Sequence, residues 1–243
     1  MAAQNRSFRI RGIVYLEDDT GRLRDVGNVS AMSYSAEEET IALANYRTAA
    51  GGNYNSDTRV SAVNISMTLH DLSAENLALG LFGGVTDVAA GTVTDEAQTT
   101  PSDVSVDCLV PTDHVINTAE AVTVTGYAEG TDFVKTGAGI IVLASGSIPA
   151  DTALAISYTK LGGSVVEAFI KAAQDRRVVL DGVNVAQNGE PIVINIWRFK
   201  SGPASDTDFI GDEFGAIPIT GEALPDPAIT ASDESAYLQV KVA

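Results

Sequence analysis

Alternation of apolar and polar positions is clearest from Arg59 to His70, RVSAVNISMTLH. There Val63, Ile65, Met67 and Leu69 share one parity and Asn64, Ser66, Thr68 and His70 the other. A sustained period of two predicts a strand with one buried and one wet face. Upstream, SFRIRGIVYLE (7–17) alternates in part and is rich in β formers, which predicts a first strand. Asp18 to Gly21 then form a turn, and a second short stretch follows around Val29 to Tyr34, ahead of the acidic triplet Glu37, Glu38 and Glu39. Near the other end, IVINIWRF sets Ile192, Ile194, Ile196 and Arg198 against Val193, Asn195, Trp197 and Phe199. Both faces are largely apolar, so this is a central strand or one covered by a partner. Further strands are expected at Arg177 to Val185, with an irregularity at Gly182, at Ala216 to Ile219, and at Tyr237 to Val242. Val165 to Ala173 is compatible with helix or strand.

One helix is convincing. Leu72, Leu77, Leu81 and Phe82 fall mostly at helical spacing, Ser73 is placed to cap the start, Glu75 favours it, and Gly83–Gly84 stops it. Leu43 to Asp57, with Gly51, Gly52, Asn53 and Asn55, reads as a long flexible loop. Residues 85–102 are rich in Thr, Ala, Asp and Gly and read as a linker or surface excursion. Short strands then recur at Val104 to Val110, Ala121 to Tyr127, Gly139 to Leu143 and Ala153 to Tyr158, separated by turn sequences. The pattern predicts a mainly β, antiparallel sandwich or barrel-like fold with one short packing helix. A β domain of residues 1–84 and 161–243 is interrupted by an inserted β module at 85–160.

Composition supports a folded, turn-rich chain: 243 residues, 45% hydrophobic, with 22 glycines and 8 prolines. The opening residues are polar and basic, with Arg6, Arg9 and Arg11, which argues against a secretory leader, and no apolar run is long enough for a membrane-spanning helix. A single cysteine, Cys108, excludes an internal disulfide and suits a reducing compartment. The formal charge is −17 and unevenly spread: residues 84–160 carry 10 acids against 2 bases, whereas 161–200 carry 4 against 5. Such a charge should repel nucleic acid over most of the surface, because binding requires phosphates to be neutralised by basic side chains, and simple solubility accounts for it equally well.

Chemistry has little to work with. His70 and His114 have no neighbouring Cys or His, and no H-E-x-x-H or G-x-S-x-G sequence occurs. Cys108 and His114 are separated by a Pro-containing segment that fits a turn as well as a thiol–imidazole pair. Asp18–Asp19, Glu37 to Glu39, Asp206 with Asp208, and Asp212–Glu213 each lack the full spacing of a calcium loop. The glycine-rich segment has no phosphate-binding pattern. Trp197 suits a core or interface better than a sugar platform, and Tyr46 and Tyr54 suit plain surface or partner contact. No residue is assigned a catalytic, cofactor-binding or metal-binding role, and the expectation is a non-enzymatic protein.

The order of elements resembles the major tail protein, or tail tube protein, of long-tailed bacteriophages. The likeness is carried by Gly27-Asn28-Val29, by Val60 to Leu69, and by Ser73-Ala74-Glu75-Asn76-Leu77-Ala78 running to Leu81-Phe82-Gly83. It continues through Arg177 to Asn184, Ile192 to Phe199, Asp208-Phe209-Ile210 and Gly221 to Asp226. The module sequences Glu129 to Phe133 and Gly146 to Pro149 are similar to inserts in such proteins. The resemblance implies stacked hexameric rings around a tape-measure protein, ended by tail terminator and baseplate or tip proteins. Sheets of six copies close one inner barrel, and DNA passes through the lumen without specific binding or any membrane contact. The tube would be assembled in the host bacterial cytoplasm and reside in the virion tail. Carried onto this chain, Val60 to Leu69 and Ile192 to Phe199 become barrel strands and Leu72 to Phe82 the packing helix. The Leu43 to Asp57 loop and the Ala2 to Arg11 segment become ring-to-ring contacts, and an acidic lumen would let DNA pass without sticking. Alternatives are a capsid decoration or head–tail joining protein, a tube subunit of a contractile injection system, and a calcium-dependent β-sandwich adhesin.

Overall fold

The structure, a computed structural model, describes residues 6–49 and 51–243. In chain order the elements begin with β1 (Ile10–Glu17), β2 (Leu23–Asp25), β3 (Val29–Ala44), β4 (Asn53–Leu69), α1 (Ala74–Gly80) and β5 (Gly84–Val88). The module strands follow as β6 (Gly91–Thr99), β7 (Cys108–Pro111), β8 (Thr123–Val124), β9 (Phe133–Thr136), β10 (Gly139–Val142) and β11 (Ala153–Lys160). The chain ends with β12 (Gly163–Glu167), β13 (Asp175–Asn184), β14 (Glu190–Ser201), β15 (Ile217–Leu224) and β16 (Leu238–Val242). It falls into two compact units, Met1–Val85 with Val166–Ala243, and Thr86–Val165. The chain passes between them through β5 and β12, which pair with each other.

The first unit is built on one antiparallel sheet ordered β2-β1-β13-β14-β15-β4-β3, with β16 also paired to β14. It is an open sheet, not a closed barrel: β2 and β3 stand at its ends. The alternation of Val63, Ile65, Met67 and Leu69 places all four in the core, with Val14, Leu16, Val178, Ile196, Phe199, Ile217 and Ile219. In β14 the strict alternation breaks. Val178 pairs with Ile196 but Arg176 with Phe199, so β14 carries one extra residue there. That bulge turns Ile196 and Phe199, of opposite parity in the sequence, into the same core. Gly182, by contrast, sits in regular register. It faces Gly12 across β1, where a Cβ on Gly12 would stand inside contact distance of the Asp181 carbonyl. The other face of β14 is covered: Trp197 donates its indole N–H to the Ser235 carbonyl at 3.0 Å, and the Arg177 guanidinium lies 5.1 Å from the Trp197 ring centre.

The helix is shorter than Leu72 to Phe82. Ser73 caps it, its hydroxyl accepting from the Asn76 N–H at 3.1 Å, but the buried face is Asn76, Leu79 and Gly80 while Leu72 is exposed. Asn76 donates to the carbonyls of Val26 and Asp71 at 2.9 and 2.8 Å, which fastens the helix start to the chain entering β3. The stop is made by Phe82 in the left-handed region (φ 48), with the Gly83 N–H reaching back to the Ala78 carbonyl at 2.7 Å.

In the second unit, the three-stranded sheets β7-β10-β9 and β6-β11-β8 supply one core that includes Val110, Phe133, Ile140, Val142, Leu154, Ile156 and Tyr158. Three readings change here. Much of residues 85–102 is strand, since β6 pairs with most of β11, and its Thr- and Asp-rich sequence follows from an outer position. The expected strand at Val104 to Val110 shrinks to Cys108–Pro111, and that at Ala121 to Tyr127 to Thr123–Val124. Residues 165–173 are strand only to Glu167 and then turn, with Phe169 at φ 59. A second bulge, with Asp95 at φ 51, turns Glu96 toward the buried Tyr158, whose hydroxyl donates to it at 2.6 Å.

Candidate assembly surface

The segment Leu43 to Asp57, expected as a long loop, is strand at its two ends, Leu43–Ala44 and Asn53–Asp57, so the loop is shorter than expected. β3 and β4 form one hairpin of 16 and 17 residues, and beyond the last strand pair the Asn45 N–H donates to the Gly52 carbonyl at 2.8 Å. β3 runs on through Glu37 to Glu39. The hairpin has two unlike halves. Its proximal part buries Val63 to Leu69, whereas from Ser33 to Ala44 and from Asn53 to Ser61 every position is exposed. Nine consecutive exposed residues of β4 make a free ribbon roughly 25–30 Å long at about 3.3 Å per residue.

Cross-strand pairs hold the ribbon in register. Arg59 donates to Glu39 at 2.7 and 2.9 Å, Thr40 and Thr58 hydroxyls meet at 3.1 Å, and Asn64 donates to Glu37 at 2.8 Å. Such pairs each contribute only about 0.2–1 kcal/mol, and a two-stranded ribbon is marginal in water by itself. Yet Ile41 is 57% and Leu43 54% exposed, with Tyr46, Tyr54 and Val60 also in solvent. Apolar side chains on a ribbon that its own chain leaves uncovered on both faces call for an external surface. The outer edge of β3 is also unpaired among the described residues, so the sheet ends in a long open row of N–H and C=O groups.

The remaining residues singled out in the sequence are placed as follows. His70 Nδ1 lies 3.2 Å from the Gly215 carbonyl. His114 Nε2 lies 3.5 Å from Lys160 Nζ, while Cys108 packs against the core of its unit. Asp18 binds the N–H groups of Thr20 and Arg22 and the Thr20 hydroxyl, contacts that hold its carboxyl far below the usual range. Asp19 is held low by Lys171, at 2.6 Å, and by Arg176. These carboxylates are committed to partners within the chain. Among the described residues, no group of three His, Cys, Asp or Glu is gathered as metal ligands would be. No helix among them is long and apolar enough to cross a membrane. Of the Ala2 to Arg11 segment, residues 2–5 lie outside the described residues. Arg9 onward is tied to the β13 end, with the Arg9 N–H on Asn184 Oδ1 at 2.9 Å.

A family match covers residues 7–241, almost the whole chain, under the description "Protein of unknown function UCP028589". The chain belongs to that family. The match runs across both units. No curated protein matches the chain.

Sequence reasoning missed the hairpin because exposed strands carry no apolar face. The available signal was sparse, namely Ile41 and Leu43 two residues apart, mirrored by Tyr54 beyond the glycines.

Proposed function

We propose that the chain is a structural subunit that assembles with copies of itself, as the tube of a phage tail. In this reading, hexameric rings stack around a tape-measure protein and the lumen conducts DNA. The observation that carries it is the β3–β4 ribbon, exposed on both faces and bearing Ile41, Leu43, Tyr46 and Tyr54. A monomer gains nothing from holding so long a ribbon in water, and a neighbouring copy would bury it. The open outer edge of β3 supports the same reading, because ring closure removes sheet edges. The net charge of −17 fits a conduit for DNA better than a DNA-binding surface. The protein acts by its surfaces and performs no reaction.

The test is negative-stain electron microscopy across a range of protein concentrations. Tubes of uniform diameter with a central channel are expected. Persistent monomers at high concentration, or decoration of capsids without tubes, would overturn the reading.

A further inference from the structure

A second pair of surfaces lies at opposite ends of the same sheet. Between β14 and β15 the chain is irregular, and the segment 205–214, SDTDFIGDEF, holds Phe209, Ile210 and Phe214 at 70, 96 and 97% exposure. Asp206, Asp208, Asp212 and Glu213 surround them with no basic residue. The segment is pinned on either side. The Ala204 N–H donates to the Gly80 carbonyl at 2.7 Å, and the Gly215 carbonyl lies 3.2 Å from His70 Nδ1.

At the other end of β14, the core-facing rows of the sheet run out from under their cover. Across β1, β13, β14 and β16 the register aligns Leu16, Val178, Ile196 and Leu238, then Val14, Leu180, Ile194 and Val240, then Gly12, Gly182, Ile192 and Val242. The first row is largely core, but Val240 and Val242 are exposed, and the third row carries no side chain at two of its four positions. Phe8 and Ile10 extend the β1 side. A groove of about 450 Å³ results, walled by Phe8, Ile10, Ile192, Ile194, Val240 and Val242. Its Phe8 wall is fixed in advance, because the Ser7 carbonyl accepts from Gln187 Nε2 at 3.1 Å and the Val185 N–H donates to the Arg9 carbonyl at 2.9 Å. This corner is the basic end of an acidic protein. Arg6 lines the groove beside Glu190, and Arg9, Arg11 and Lys241 stand at alternate strand positions, on the reverse face, where they contribute field rather than contact.

We propose that segment 205–214 of one copy docks in the groove of the next, with its aromatic side chains on the apolar floor and its acids toward the basic corner. A chain cannot satisfy its own groove. Ten residues anchored at both ends reach at most roughly 17 Å out, whereas Ser201 and Ile194 are separated by roughly 23 Å of strand and the anchors lie beyond Ser201. Complementary patches at opposite ends of one subunit make a head-to-tail contact, which propagates from copy to copy instead of closing as a dimer. The inference rests on reading the chain as an assembling subunit and assigns a second contact beside the ribbon.

Two full-length variants test it: a loop variant (Phe209→Ser, Ile210→Ser, Phe214→Ser) and a groove variant (Val240→Glu, Val242→Glu). The altered side chains are exposed, so both should melt as the wild type does. Sedimentation velocity should show self-association weakened at least about 100-fold in each alone, or about 2.8 kcal/mol at 1.4 kcal/mol per factor of ten. Mixing the two should restore a single 1:1 complex, since one keeps an intact loop and the other an intact groove. Raising salt from about 50 to 500 mM should weaken wild-type association, as should Arg9→Glu with Arg11→Glu. Wild-type association by both variants would overturn the docking and leave tube assembly standing. Loss in the groove variant alone would overturn the loop as its occupant. Head-to-tail chains without tubes would support the docking and overturn the tail-tube reading, and a wild type that stays monomeric would overturn both.

Discussion

If the ribbon is an assembly surface, replacing Ile41 and Leu43 by Thr should impair assembly without touching the fold. Threonine keeps a strand-compatible side chain, so the perturbation is confined to the lost apolar burial. Full burial of a Leu or Ile side chain is worth about 1.5–3 kcal/mol, and somewhat over half of each, 57% and 54%, is still in solvent here. Covering the remainder therefore contributes about 1–1.5 kcal/mol per residue, or about 2–3 kcal/mol for the pair. At 1.4 kcal/mol per factor of ten, the critical concentration for assembly should rise roughly 30- to 140-fold. Pelleting across a dilution series, with microscopy of the pellets, measures it. Thermal melting of the dilute protein should change little, because exposed substitutions usually stay within about 0.5 kcal/mol. An unchanged critical concentration would refute the reasoning. So would a lowered melting temperature matching the loss of assembly, since the ribbon would then matter to folding.

Other expectations concern the fold. Phe133→Ala, at a fully buried position of the second unit, should cost about 3–5 kcal/mol in urea unfolding, and a cost under 1 kcal/mol would mean that core is not packed as described. Burial and the Glu96 carboxylate push the Tyr158 hydroxyl up to about 12. Its folded value is raised, so its contribution is complete below pH 10 and lost as pH rises from about 10 to about 12, and Tyr158→Phe should flatten that alkaline limb. Glu96 runs the opposite way: burial works against its charge, but hydrogen bonds from Tyr158, Gln98 and the Asp113 N–H hold its carboxyl low. Its contribution is present above the ordinary carboxylate range and fades as pH falls through the depressed folded value, so Glu96→Gln should reduce the acid sensitivity measured by melting. Gly221→Ala should give insoluble or strongly destabilised protein, because its Cβ would meet the Lys200 carbonyl and stand 2.7 Å from Ser201 Cα; recovery of soluble protein with wild-type melting would contradict the register of β14 and β15.

Wherever one face of an element is buried, the sequence by itself determined what forms. Val63 to Leu69 must alternate because a pleated strand with one wet face has a period of two, and Ser73 must precede a helix whose first N–H groups need an acceptor. Two isolated histidines and one cysteine likewise limited the chemistry available before any fold was known. Tertiary structure decided what has no local period. The outer ribbon is exposed on both faces, so Asn53 to Ser61 carry no buried face to set a period, and only pairing with β3 makes them strand. The bulge in β14 brings Ile196 and Phe199 to one side through register with β13, a partner some twenty residues away. The groove joins Phe8, Ile192 and Val242, residues that only the strand order of the sheet brings together. A local pattern records which face of a segment meets water, whereas a surface is made by which segments become neighbours.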